Sequence, residues 1–195
     1  WQASVGPALF GGDVHGKTLG IVGMGNIGAA IARRGRLGFG MPILYSGNSR
    51  KTALEQELGA QFRSLEQLLA EADFVCLVVP LSDKTRHLIS QRELALMKPS
   101  AILVNISRGP VVDEPALIEA LQKGQIRGAG LDVYEKEPLA ESPLFQLKNA
   151  LTLPHIGSAT HETRDAMANR AMANLRSALL GERPQDLVNP QVWRG

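Results

Sequence analysis

The stretch "TLGIVGMGNIGAAIARR", Thr18–Arg34, decides the fold. Its first part is apolar on consecutive positions, as a strand covered on both faces reads, and its last part opens a helix. Between them Gly23-Met24-Gly25-Asn26-Ile27-Gly28 spells G-x-G-x-x-G. That pattern is weak alone and specific when a strand precedes it and a helix follows. Gly23 permits a tight turn, Gly25 lets backbone approach a diphosphate, and Gly28 lets helix and strand pack closely. The helix start at Asn26 and Ile27 then offers backbone N–H groups to the phosphates. S-adenosylmethionine sites use similar loops, so the rest of the chain must separate the two.

Working outward, short apolar runs alternate with helical patterns. The runs are "TLGIVG" (18–23), "MPILYS" (41–46), "ADFVCLVVP" (72–80), "AILVNIS" (101–107), "GAGLDV" (128–133) and "ALTLP" (150–154). Ser64 with Gln67 makes a capping box, and Leu65, Leu68, Leu69 and Ala72 share one helical face. Asp113 caps a helix with Pro115 in its first turn, Leu117, Ile118 and Leu121 inward and Gly124 as its stop. A last helix runs from about Thr160 to Leu180, with Met167, Met172 and Leu175 as packing positions and His161 in its first turn. Strand and helix repeated in this way predict an α/β fold with right-handed crossovers and a doubly wound parallel sheet of Rossmann type.

The end of the second strand bears on cofactor choice. An NAD site normally has Asp or Glu there, bonded to the ribose hydroxyls. This chain has Ser46-Gly47-Asn48-Ser49-Arg50-Lys51, and no acid between Asp13 and Glu55. A carboxylate would repel a 2′-phosphate, whereas Ser46, Asn48, Ser49, Arg50 and Lys51 can hold one. Each charge-assisted hydrogen bond is worth about 1.5–3 kcal/mol. NADP(H) is therefore expected over NAD(H).

Three loops follow three later strands. "VNISRGPVVDEPALIEAL" supplies Arg108, "GLDVYEKEP" supplies Asp132, Glu135 and Glu137, and "LTLPHIGSATHET" supplies His155. The C-terminal ends of the strands are where ligands bind in doubly wound sheets. An arginine, a carboxylate and an imidazole thus converge on one rim from separate loops. His15 and His87 have no comparable setting, and no metal site is expected.

In "GIVGMGNIG", "VNISRGPVVDEPALIEALQKGQI", "GAGLDVYEKEP" and "LPHIGSATHETR" the chain resembles the D-isomer-specific 2-hydroxyacid dehydrogenases over nearly its whole length. "FVCLVVPLSDKTRHLI" and "MPILYSG" are most similar to its bacterial branch that reduces glyoxylate, hydroxypyruvate or 2-ketogluconate, with a preference for NADPH. The resemblance implies that Arg108 binds substrate, that Glu137 partners the histidine and that His155 is the acid/base. It also implies that Asp132 lies near the nicotinamide carboxamide, and that Val79, Pro80, Thr85, Ile106, Ser107, Gly157 and Ser158 line the cofactor site. In such a reduction Arg108 stabilises the charge that develops on the carbonyl oxygen, and protonated His155 delivers the proton. A carboxylate beside the imidazole favours its charged form.

Family members also carry a smaller lobe, which completes the substrate site. By the resemblance, residues 1–16 are an interdomain connection, 17–160 the dinucleotide-binding domain and 161–195 a helix and tail returning toward that lobe. The chain opens on Trp1, and some 100 residues or more are expected before it. Trp1, Phe10 and the "QVWRG" tail are expected to be exposed or recruited into oligomer contacts. A homodimer is implied by the resemblance alone.

Composition agrees with an ordinary soluble domain: 195 residues, 21% charged, net charge +2. No block of like charge points to nucleic acid or a membrane surface, and "FVCLVVPL" is too short to span a bilayer. The single cysteine, Cys76, reads as a core residue and suggests a reducing, cytoplasmic setting. A non-enzymatic NAD(P)-binding sensor of the same fold is the competing reading. Formate, phosphite or phosphoglycerate oxidation is disfavoured by the missing acid at the second strand.

Overall fold

The structure, a computed structural model, describes residues 10–193. Seven parallel strands run in the order β3-β2-β1-β4-β5-β6-β7. They are β1 (Leu19–Val22), β2 (Ile43–Ser46), β3 (Gln61–Phe62), β4 (Phe74–Leu77), β5 (Ile102–Asn105), β6 (Gly128–Leu131) and β7 (Ala150–Thr152). The six runs read from sequence all contain a strand, shortened where the chain enters loops. The two-residue β3 and the strand-linking helices α2 (Thr52–Leu58) and α4 (Gln91–Leu96) are further elements. Their short lengths leave little periodicity to read.

Apolar residues on consecutive positions are needed because alternate side chains enter different cores. Along β1, Ile21 joins Met24, Ala32, Ile43, Tyr45 and Cys76 in one cluster, while Val22 joins Leu44, Leu68, Val75 and Leu77 in the other. Helix α1 (Asn26–Phe39) packs on the first, with Gly35 allowing contact: a Cβ there would lie 2.7 Å from Leu19 Cδ2. Helix α3 (Leu65–Glu71) packs on the second. Its Ser64–Gln67 capping box is formed, and Leu68 and Leu69 are fully buried, each worth roughly 1.5–3 kcal/mol. Helix α5 (Glu114–Gln122) starts as expected, with the Asp113 carboxylate accepting from Ala116 N at 3.2 Å.

Cover is uneven across the sheet. At the β7 edge Leu151 is 63% exposed.

The chain divides into two compact units, one through Pro154 and one from His155 onward. The second is built on α6 (His161–Leu179), capped by the Thr160 hydroxyl and followed by Gly181 at φ +74°. Arg170 and Asn174 on α6 hold the Asp186 carboxylate, whose pKa they lower to about 2. The helix buries none of its residues. Met167, Met172 and Leu175, read as packing positions, all stand exposed. Phe10 is exposed as expected, while Trp1, Arg194 and Gly195 lie outside the described residues. No helix among the described residues is long and apolar enough to cross a membrane.

Cys76 sits in the core on β4, and burial pushes its thiol up to about 11. It should resist a thiol-specific reagent at about pH 8 in the native chain, where little thiolate forms, and react fully in denaturant. Rapid labelling without denaturant would contradict this burial.

Candidate active site

The glycine turn leaves the C-terminal end of β1. Gly23 has φ +102°, and a Cβ on it would meet Val78 O at 2.7 Å. A Cβ on Gly28 would lie 2.4 Å from Gly23 O, so helix and turn touch through bare backbone. Gly25 differs: a Cβ there would meet nothing within 4 Å, the open space into which a phosphate can come against backbone. Gly25 is also the N-cap of α1, with no side-chain cap and no acid in the first turn. The positive helix end is thus neither blocked nor neutralised locally. These features fit a diphosphate.

A cleft of about 560 Å³ opens over this turn. One wall is the loop after β2, with Ser46, Asn48, Ser49 and Lys51. The other is the loop after β4, with Val79, Pro80, Ser82, Lys84 and Thr85. The Thr85 hydroxyl donates to Pro80 O at 2.7 Å and accepts from Ser82 N at 2.8 Å, folding that wall into a tight turn. Lys84 and Ser82 were not singled out from sequence, because a solvated loop carries no periodic signal.

Arg50 does not line the cleft. Its Nε and Nη2 donate to the Glu55 carboxylate at 3.1 and 2.8 Å. The first turn of α2 brings that acid back beside the loop, although the sequence places it beyond the strand end. Glu55 Oε1 also accepts from the Tyr45 hydroxyl at 2.6 Å, and that hydroxyl accepts from Lys51 N, also at 2.6 Å. Tyr45 is fully buried, edge-on to Phe62, and burial raises its phenol pKa. Arg50 and then Tyr45 hold the Glu55 carboxyl below its usual range. A buried phenol and an ion pair therefore fix the shape of the loop.

A second cleft, of about 430 Å³, shares Val78, Val79 and Pro80 with the first and extends to Ile27, Ile106, Ser107 and Arg108. Buried Asn105, at the end of β5, shapes the loop that carries Arg108. Its Oδ1 accepts from Ser107 N at 3.1 Å and Ser107 Oγ at 2.8 Å, while its Nδ2 donates to Arg108 O at 3.1 Å. Arg108 Nη1 in turn donates to Ser107 O at 2.6 Å.

The loop after β6 lies directly against this one. Around Gly109 the approach is backbone to backbone: a Cβ would fall 1.8 Å from the carbonyl of Tyr134. Glu137 Oε1 accepts from Tyr134 N at 3.0 Å, and Asp132 is buried at the start of the same loop. The Tyr134 hydroxyl donates to Leu153 O at 2.8 Å, tying this loop to the end of β7. Arg108, Asp132 and Glu137 are thus carried by two contiguous loops. His87, set aside in the sequence, joins them. Its Nε2 is 2.6 Å from Glu135 Oε1 and its backbone N donates to Pro110 O at 2.8 Å. Its φ of +48° is a strained value for a side-chain-bearing residue.

His155, Gly157 and Ser158 belong to the second unit. His155 too has a left-handed backbone, φ +54°. His161 is the exposed first residue of α6. No cluster of metal-ligating side chains occurs among the described residues.

Fold and clefts define a dinucleotide-binding domain. Residues 1–157 match the family model described as D-isomer specific 2-hydroxyacid dehydrogenase, NAD binding domain, and the chain belongs to that family. It is 58% identical over 193 residues to glyoxylate/hydroxypyruvate reductase B of Enterobacter sp. (strain 638), covering 98% of this chain and 60% of that protein. Among solved structures, a protein from Thermus thermophilus superposes with TM-score 0.89 at 46% identity, over 96% of this chain and 58% of the other. A glyoxylate reductase from Paecilomyes thermophila gives TM-score 0.84 at 44% identity, over 93% and 55%. The chain spans about 60% of the length of the curated relatives it matches.

If the contact at Gly109 holds the two loops together, Gly109→Ala must push them apart. The expected cost is about 3 kcal/mol of stability, read from urea unfolding. An unchanged midpoint would show that the loops are not packed in this way.

Proposed function

We propose that the chain is the cofactor-binding part of an enzyme that reduces small 2-oxo acids to D-2-hydroxy acids with NADPH. Glyoxylate and hydroxypyruvate are the first candidates, after the names of its relatives, and 2-ketogluconate is a third. The observation that carries the reading is the pair of clefts meeting at Val78–Pro80, one over the glycine turn and one ending at Arg108. A dinucleotide laid across that junction would be held by the turn at Gly25 and by the second cleft, which Ile27 and Ile106 line. When bound it supplies the hydride for C2 of the oxo acid.

The remaining work falls to side chains. Arg108, exposed on a loop stiffened by Asn105, binds the substrate carboxylate and carbonyl oxygen in its fork. His155 gives the proton to that oxygen, and Glu137 orients the imidazole. The strained backbone of His155 supports a functional role, since such strain persists where a site requires it. Asp132, Gly157 and Ser158 line the cofactor site with Ser107 and Thr85. Support for NADPH comes from the acid-free cleft wall of Ser46, Asn48, Ser49 and Lys51, with Glu55 occupied by Arg50 and Tyr45.

Within this reading, residues 1–16 are an interdomain connection, 17–160 the cofactor domain and 161–195 the return toward a second lobe. The enzyme is a cytoplasmic homodimer acting on a small molecule, with no nucleic-acid or membrane partner. The chain by itself has half a substrate site, so it binds NADPH and turns over poorly.

The deciding assay gives the complete protein glyoxylate or hydroxypyruvate with each cofactor. NADPH should be favoured by about tenfold or more in kcat/KM, the effect of one charge-assisted contact. Equal values would defeat the cofactor choice, and absence of turnover with both would favour a sensor. In the same assay His155→Ala should lose turnover while keeping cofactor affinity. Wild-type kcat in that variant would remove His155 from the mechanism.

A further inference from the structure

Cofactor choice in doubly wound folds is usually read from the loop after β2, yet the cleft here carries a cation on each wall. Lys51 lines it from the β2 loop and Lys84 from the β4 loop, in the turn held by Thr85 and Ser82. Among the described residues neither ammonium group has an ion-pair partner. Arg50, in contrast, is neutralised by Glu55 and stands outside the cleft. The acid nearest in sequence to Lys84, Asp83, does not line the cleft. Two uncompensated positive charges in one cleft exceed what the glycine turn needs, because that turn serves a diphosphate through backbone N–H groups.

We infer that Lys84 is a specificity-determining residue, holding the cofactor's 2′-phosphate jointly with Lys51 from the opposite wall, while Arg50 is a structural cation of the loop. This rests on the proposed preference for NADPH. It deepens that proposal by moving part of the discrimination onto a loop outside the nucleotide fingerprint. A lysine suits this role, since a flexible stem and point charge can reach a phosphate across a cleft without the fixed geometry a guanidinium requires.

The test titrates the 195-residue chain with 2′,5′-ADP and with 5′-AMP at fixed ionic strength, for wild type, Lys84→Met, Lys84→Arg, Lys51→Met and Arg50→Met. Methionine keeps the apolar stem and removes the charge, and urea unfolding of each variant checks that the fold is intact. Lys84→Met should weaken 2′,5′-ADP by about fivefold, the upper range for an exposed ion pair, and leave 5′-AMP within about twofold. Lys84→Arg should restore most of the difference, and Lys51→Met should resemble Lys84→Met. Unchanged 2′,5′-ADP binding in Lys84→Met, or equal weakening of both ligands, would overturn the assignment, as would full loss of discrimination in Arg50→Met alone. Wild type that binds both ligands equally would overturn the NADPH reading and this inference with it. Wild type that discriminates, beside a Lys84→Met variant that discriminates equally well, overturns the inference alone.

Discussion

Everything in the first unit follows from where β1 sits. It pairs with β2 on one side and β4 on the other, so the chain moves outward in opposite directions from one central strand. The loops leaving β1 and β4 then diverge at their C-terminal ends and leave a crevice no crossover helix can fill. That crevice is possible only because Gly23 and Gly28 bring turn, strand and helix together without side chains. The same absence at Gly25 leaves open space. Close packing and ligand access therefore come from one residue type used in two ways.

The second cleft depends on a different kind of support. Arg108 is a long, exposed side chain, which would ordinarily lose much of its effect to conformational freedom. Its anchor is the buried Asn105 side chain, which bonds to both sides of the peptide run leading to it. Among the described residues no buried side-chain polar atom lacks a partner, so these internal bonds carry no desolvation deficit. The β6 loop, pressed on Gly109 and tied through Tyr134, extends that stiffness to Glu137. Positioning here is achieved by backbone contact and buried polar groups rather than by the charged residues themselves.

Charge in the cofactor cleft shows the opposite logic. Glu55, itself held by the Tyr45 hydroxyl, engages Arg50, and the lysines that remain face the cleft from two different loops. A bidentate ion pair formed by a helical turn is invisible to a count of acids and bases.

By itself the sequence determined six of the seven strands, the glycine turn and the capped helices, which rest on local physics: consecutive apolar positions, backbone freedom at glycine, and side chains that satisfy helix ends. Capping at Ser64 and Asp113 was legible for that reason, and so was the core position of Cys76. Arg108, Glu137 and His155 were candidates by their places after three strands and by the resemblance of the motifs that carry them. Tertiary structure alone decided which cations line the cleft, that His87 joins the loop of Glu135, and that Met167, Met172 and Leu175 stand exposed. Each of these depends on what a distant segment brings alongside, and neither hydrophobic periodicity nor charge order along a chain encodes that neighbour.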